Sequence, residues 1–552
     1  MDQVLVPLGQ VKTLYGNIFR DRQLLRIFIL STTASIFTGW LYDYIFDDEE
    51  SFYIRVKKTF FKYMKKIPSI KAKLDDEILR INNGFRKDVY SKTKHLDYYM
   101  QLPEKKMSKE EIMEVTNEYL NLGSYNWQGG RVSGSVYYSN AELVDLIKEV
   151  YAKTSYTNPL HPDVFPGICK MEAEVIRMVS DLFHGDENTC GTMTSGGTES
   201  IIMACKAYRD YGKEVRGIKK PEMVIPITAH SAFAKASLYL RIKVKYVPVD
   251  PITTKVDIKA MRKAISGNTI MLLGSAPNFP YGTMDDIESI SELGVRYNVP
   301  VHVDSCLGGF LTIFMDEAGY PIPTCDFRLP GVMSISADTH KYGFAPKGTS
   351  VIMYRKLEYL HHQYTTTVDW PGGVYGSPTV SGSRAGGAIA ACWATLLSFG
   401  KEGYVAATRD IVHTTKYIEK GLRRIEHIYV FGQPVTSVVA IGSTVFDIYR
   451  LQTYLSEKGW NLNILQFPSG IHLGVTHIHT QPGVADAFLN DVQNGVIEVM
   501  KDPTAPVIGK MAVYGYAQGI PDRSIVDEVT NCYLDAMYYT PRADDEKLLM
   551  LE

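Results

Sequence analysis

The chain has 552 residues, 45% hydrophobic and 22% charged, with a formal net charge of -2. That balance is ordinary for a globular protein of two to four domains, and no basic excess supports a nucleic-acid partner. Seven cysteines, none in a Cys-x-x-Cys pair, argue against a disulfide scaffold and fit a reducing compartment.

The first predicted element is apolar. Ile27 to Tyr42 carries no charged side chain. As a helix it would rise about 24 Å, short of a hydrocarbon core of roughly 30 Å. Extension to 24–46 lengthens it, with Arg26 able to snorkel and Trp40, Tyr42 and Tyr44 suited to an interface. Lys and Arg are slightly richer after the segment, which leans toward a cytosolic body. Composition leaves two readings open, a single membrane anchor or a buried or dimer-forming helix. Residues 47–120 read as charged, helical linker, with Phe60, Phe61, Met64 and Ile67 on one face.

A turn-rich stretch follows from Gly123 to Ser139. Pro159 and Pro162 then bracket His161 in a fixed loop. Met171, Val175, Met178, Val179 and Leu182 form one face of a helix. Ser195-Gly196-Gly197-Thr198 opens the next. Short buried strands are expected at Met223–Pro226, Val244–Val247, Ile270–Leu273, Val299–Val303 and Val332–Ile335, alternating with helices at Ala234–Leu240 and Asp285–Tyr297. This is the pattern of a large α/β domain with a mostly parallel sheet, expected over 121–385. After residue 385 a long helix and shorter strands predict a smaller α+β domain over 386–552.

Three features carry chemistry. Lys341 follows a buried strand, in Ala337-Asp338-Thr339-His340-Lys341-Tyr342-Gly343. The Gly196-Gly197-Thr198 turn, roughly 140 residues upstream, offers backbone donors at a helix start. Asp304 ends a strand, where open α/β sheets bind ligands. An amine able to form a Schiff base, an anion cradle and a carboxylate for a ring nitrogen are what pyridoxal phosphate needs. Each also has a plain reading: a surface lysine, an N-cap, a turn carboxylate. His230 suits either a ring stack or a structural role. His302 reads as structural and Cys306 as a small packed residue. Lys347 and Arg384 are anion candidates. No set of three spaced ligands supports zinc.

Taken together, the stretches Val132-Ser133-Gly134, Asn158 to Pro166, Thr194 to Ser200, Val301 to Gly309, Ser336 to Gly348, Tyr375 to Thr379, Gly382-Ser383-Arg384 and Tyr514-Gly515 resemble the sphingosine-1-phosphate lyase family. These are fold-type I pyridoxal-phosphate enzymes of the group II decarboxylase-like branch. The resemblance spans about residues 110 to 540. It implies a homodimer that cleaves phosphorylated sphingoid bases to a long-chain aldehyde and phosphoethanolamine. It implies Lys341 as the cofactor lysine, Asp304 on the pyridine nitrogen and His230 on the ring. Gly196, Gly197 and Thr198, with His340, would hold the cofactor phosphate, and Ser383 would reach the neighbouring subunit's cofactor. Tyr137, His161 and Lys347 match a substrate-phosphate set, and Tyr514 a site tyrosine. Phe279 stands near an aromatic position that is tyrosine in some relatives, with Tyr281 close by. The resemblance also implies a single-pass endoplasmic-reticulum anchor with a cytosolic catalytic body. The rival reading is an amino-acid decarboxylase on the same scaffold.

Overall fold

A computed structural model describes residues 22–46, 52–507 and 523–541. The chain divides into two compact units, Met1–Met107 with Ile520–Glu552, and Ser108–Gly519.

The first unit is helical. Pro68–Thr93 packs against Arg523–Met537. Phe85 meets Tyr533 edge-on at 5.7 Å, and Tyr90 meets Tyr539 at 6.5 Å. The apolar N-terminal run does form a helix, Arg22–Phe46. Yet no helix among the described residues is long and apolar enough to cross a membrane. The expected anchor over 24–46 is therefore corrected, and the endoplasmic-reticulum placement and topology that rested on it fall with it. Length is not the obstacle. Ser31, Thr32, Thr33, Ser35, Thr38 and Gly39 dilute the apolar run at its centre. The Ser31 and Thr38 hydroxyls bond back to the carbonyls of Phe28 and Ala34.

The second unit is built on a seven-stranded sheet. Its strands are β1 (Cys190–Thr194), β2 (Glu222–Pro226), β3 (Lys243–Val247), β4 (Thr269–Ser275), β5 (Val301–Asp304), β6 (Val332–Ala337) and β7 (Ser350–Tyr354). The order is β1-β7-β6-β5-β4-β2-β3. All neighbours from β3 to β6 run parallel, and β7 runs antiparallel to both β6 and β1. Side chains alternate between two apolar layers. Val224, Leu272, Val301, Val303, Ile335 and Val351 face one layer. Met223, Ile225, Met271, Leu273, Ile352 and Tyr354 face the other. Burial of both faces explains why these strands read as continuous apolar runs.

β1 and β6 end on the same side of β7, where Thr194 is paired with Ser350 and Ala337 with Val351. A row of hydroxyls stitches that rim: Thr194 to Ser200 at 2.7 Å, Ser200 to Ser350 at 2.9 Å, and Ser350 to the Ala337 carbonyl at 3.2 Å. The loops leaving this rim carry the candidate site.

Beyond a small hairpin, β8 (Thr365–Thr367) with β9 (Tyr375–Ser377), a long helix runs from Gly386 to Leu422. It is kinked at Gly400, whose φ of 56° suits glycine. A four-stranded antiparallel sheet follows: β10 (Tyr429–Val430), β11 (Val438–Gly442), β12 (Asn463–Leu465) and β13 (Gly470–Gly474), in the order β10-β11-β13-β12. The turn-rich segment before the sheet locks onto this part. Ser133 donates its amide to Asn461 O at 2.8 Å, and Gly134 bonds Gly474 O at 2.9 Å. Arg131 lies 4.4 Å over the buried Trp460 ring and pairs with Asp491 at 2.7 Å.

Three buried histidines give the fold an acid-sensitive core. Burial lowers His302, His472 and His479 each to about 4. An unfolded histidine titrates near 6.5. As pH falls from that value toward 4 the unfolded chain therefore binds more protons, and stability drops. Asp285 opposes this, because burial raises it to about 6 and its folded form takes a proton early. Three groups outweigh one. The thermal midpoint is expected to fall between pH 6.5 and 4, as read by differential scanning calorimetry; a rise over that window would contradict this balance.

Candidate active site

The cavity at the rim has a volume of about 340 Å³. Its lining includes Gly196, Gly197, His230, Asp338, His340 and Lys341. Four strand ends supply it, and the β5 exit gives Cys306. The β1 exit gives the glycine turn, and the β2 exit gives His230. The β6 exit gives Asp338 to Lys341.

The glycine turn is held from behind. Glu199 folds back to accept from the Ser195 amide at 2.7 Å and its hydroxyl at 2.6 Å. Its other oxygen accepts from the Val380 amide at 3.0 Å. No side chain caps the Gly197–Glu214 helix. Its first amides are thus available to an anion, which the helix field also favours. Gly197 admits no side chain, because a Cβ there would lie 2.8 Å from both Asp338 oxygens and 2.9 Å from Cys306 Sγ.

Lys341 sits in a tight turn after β6. Ala345 bonds back to Thr339 O, and the Tyr342 hydroxyl donates to Val475 O at 2.7 Å. Lys341 Nζ lies 3.0 Å from Asp338 Oδ2, and the Asp338 side chain is only 2% exposed. Burial works against the Lys341 charge, but the Asp338 carboxylate outweighs it and holds the pKa well above the ordinary lysine value. His340 Nδ1 is 2.5 Å from Thr349 O. Burial lowers its pKa, so it is neutral at neutral pH and its 3.8 Å approach to Asp338 is not an ion pair.

Tyr137 packs edge-on against Tyr342 at 4.8 Å, and Lys347 Nζ stands 4.7 Å over its ring. Partial burial of the Lys347 amine and repulsion from Lys341 lower its pKa. Burial raises that of Tyr137. His230 accepts from the Ala232 amide through Nδ1 and faces Phe279 at 6.2 Å. Asp304 is buried at the β5 end and accepts from the Cys306 amide at 3.0 Å.

An amine, uncapped helix amides and a deeply buried carboxylate therefore converge on one cavity. The Asp338 Oδ1 atom has no hydrogen-bond partner. That donor and acceptor set fits a phosphate-bearing aldehyde cofactor of the pyridoxal type.

Comparisons with known proteins agree. The family model for the pyridoxal-dependent decarboxylase conserved domain matches residues 93–442. The sphingosine-1-phosphate lyase of Drosophila melanogaster is 58% identical over 93% of this chain and 94% of its own. The Mus musculus sphingosine-1-phosphate lyase 1 is 46% identical over 92% and 89%. Among solved structures, a sphingosine-1-phosphate lyase from Burkholderia pseudomallei superposes with a TM-score of 0.74 at 39% identity, covering 82% of this chain and 99% of that one.

This chain belongs to the sphingosine-1-phosphate lyase family.

A Lactobacillus brevis glutamate decarboxylase shares the fold, with a TM-score of 0.64 at 21% identity. The lyase-family chain is thus a fold-type I enzyme with a mixed, mostly parallel sheet, pyridoxal phosphate as cofactor and a smaller C-terminal α+β region.

Not every expected residue enters the cavity. His161 lies on an exposed turn, outside the lining. Ser383 lines a neighbouring cavity with Thr194, Ser195, Glu199 and Arg384, and accepts from Asn158 Nδ2 at 3.1 Å. Arg384, an anion candidate in the sequence, is already paired with Glu172. Tyr281 turns away and packs on Phe431 at 4.9 Å. Tyr514 lies outside the described residues. His302 is structural, bonded to Ser334 at 2.7 Å and Ser336 at 3.1 Å. Asp338 is the residue that sequence reasoning passed over. Its signal was there: a carboxylate three positions before the lysine in a tight turn reaches the same amine.

Proposed function

We propose that this chain cleaves the C2–C3 bond of phosphorylated long-chain sphingoid bases, releasing a long-chain aldehyde and phosphoethanolamine. The observation that carries the residue assignment is Lys341, with its buried carboxylate partner, facing the uncapped Gly196-Gly197-Thr198 turn across one cavity. When bound, pyridoxal phosphate supplies an electron sink for the bond that breaks.

The protein's own part is holding and proton transfer. The Gly196, Gly197 and Thr198 amides, with His340 beside them, would receive the cofactor phosphate. Asp304 would hold the ring nitrogen, and His230 would stand by the ring. Lys341 would carry the cofactor until the substrate amine takes its place, and its freed Nζ would then move a proton. Lys347, six residues past Lys341, and Tyr137, packed on Tyr342, would receive the substrate phosphate, which would fix the angle of the scissile bond. Roles for His161, Ser383 and Tyr514 are proposed from their motif positions alone. The carboxylate-releasing alternative shares the scaffold, as the glutamate decarboxylase likeness illustrates. It offers no reason for a second cation over Tyr137.

The test offers phosphorylated and unphosphorylated sphingoid bases and analyses all products. Aldehyde plus phosphoethanolamine is expected from the phosphorylated base only; carbon dioxide from an amino acid at a comparable rate would sink the proposal. In the same assay Lys347→Ala is expected to raise KM for the phosphorylated base by roughly 10- to 100-fold, the loss of one charge-assisted contact worth about 1.5–3 kcal/mol. An unchanged KM would remove Lys347 from the substrate site.

A further inference from the structure

We infer that Asp338 is the parking partner of the Lys341 amine, a positioning residue that holds it as an ammonium whenever it is not joined to the cofactor. The inference rests on the reading that Lys341 carries the cofactor.

The geometry is specific. Lys341 Nζ sits 3.0 Å from Asp338 Oδ2, and the carboxylate is 2% exposed. Asp338 is the one carboxylate in ion-pair contact with Lys341 among the described residues. The other groups facing the amine do not replace it. Tyr137 and Cys306 are both pushed upward by burial, so both are neutral at neutral pH. His340 is neutral, and Lys347 carries like charge. Gly197 completes the arrangement, because any side chain there would occupy the space of the Asp338 oxygens. The anion turn is thus shaped to admit a buried negative charge as well as a bound one. A carboxylate beside a phosphate cradle repels the phosphate, so it calls for a countervailing use. The lysine charge is that use.

The proton count closes. To condense with an aldehyde, Lys341 gives up one proton and water leaves. When an incoming amine displaces it, Nζ takes one proton back. The pair therefore opposes condensation in the empty protein. It favours release of the lysine once substrate arrives, because the freed Nζ finds its carboxylate partner at hand.

The test uses the full chain stripped of cofactor. Uptake of pyridoxal phosphate is followed by the lysine-linked chromophore from neutral to alkaline pH. Wild-type uptake is expected to rise by about tenfold per pH unit, as for an amine far below its pKa. Asp338→Asn keeps the shape and removes the charge. It is expected to take up cofactor at least about tenfold faster at neutral pH, with the rise levelling off earlier. Superimposable profiles overturn the inference. A second measurement needs no variant: acylation of Lys341 in the cofactor-free chain, mapped by mass spectrometry against pH. Lys341 is expected to react only at higher pH than the surface lysines, and reaction at or below theirs overturns the inference. Borohydride reduction of the loaded chain checks the underlying reading separately. A label away from Lys341 defeats that reading, whereas a label on Lys341 with unchanged pH profiles defeats only the role of Asp338.

Discussion

Lys341→Ala is expected to leave no lysine-linked chromophore and no borohydride-trapped adduct, with turnover reduced by at least roughly 10²- to 10⁴-fold. That range is what loss of a positioned proton-transfer group alone costs. Loss of the covalent tether adds to it. The substitution also strands Asp338. That carboxylate has no other ion-pair partner among the described residues except the neutral His340, and its Oδ1 is already unpaired. Breaking a fully buried pair costs about 3–5 kcal/mol. The cost here is smaller, because the Lys341 side chain keeps 20% exposure. Lys341→Ala should therefore unfold at lower denaturant, and adding Asp338→Asn should restore stability without restoring turnover. A single variant as stable as the parent would show that the carboxylate is not strained by its isolation.

Gly197→Ala is expected to have the second largest effect. The new methyl would press on the two Asp338 oxygens at 2.8 Å and on Cys306 Sγ at 2.9 Å. Asp338 cannot retreat freely, since it is tied to Lys341 and buried against the end of β6. Overpacking of this kind costs about 1–3 kcal/mol. Because the collision is at the anion turn, the loss should appear both in the denaturation midpoint and in affinity for pyridoxal phosphate. Gly167→Ala is the control. It sits in the Pro166–Leu182 helix with nothing within 4 Å of its added Cβ, and should be neutral or slightly stabilising. Equal behaviour of the two variants would rule out the steric argument.

Much of this architecture is readable in the residues. Strands β2, β4, β5 and β6 stand out because both faces are buried, and their ends then locate Asp304 and the Lys341 turn. β1 escapes notice, since Cys190-Gly191-Thr192-Met193-Thr194 is short, half polar and partly exposed. The antiparallel course of β7 is invisible for a different reason: a buried apolar run has the same composition in either direction. The Gly386–Leu422 helix is legible as a long helix after residue 385, but its kink at Gly400 is not. At the N-terminus, counting uncharged residues overstated the apolarity of a helix whose centre is Ser and Thr. In the site, the type of residue at each strand exit was legible, but pairing between them was not. Arg384 looked free until Glu172, some 200 residues away, proved to hold it.

The hydroxyl seam across β7 has a mechanical consequence. The glycine turn and the lysine turn are distant along the chain, yet each hangs from a strand that flanks β7. Two inter-strand steps, roughly 10 Å, set the span between them. A bound molecule that touches both is gauged by the sheet itself, whose spacing no loop can renegotiate.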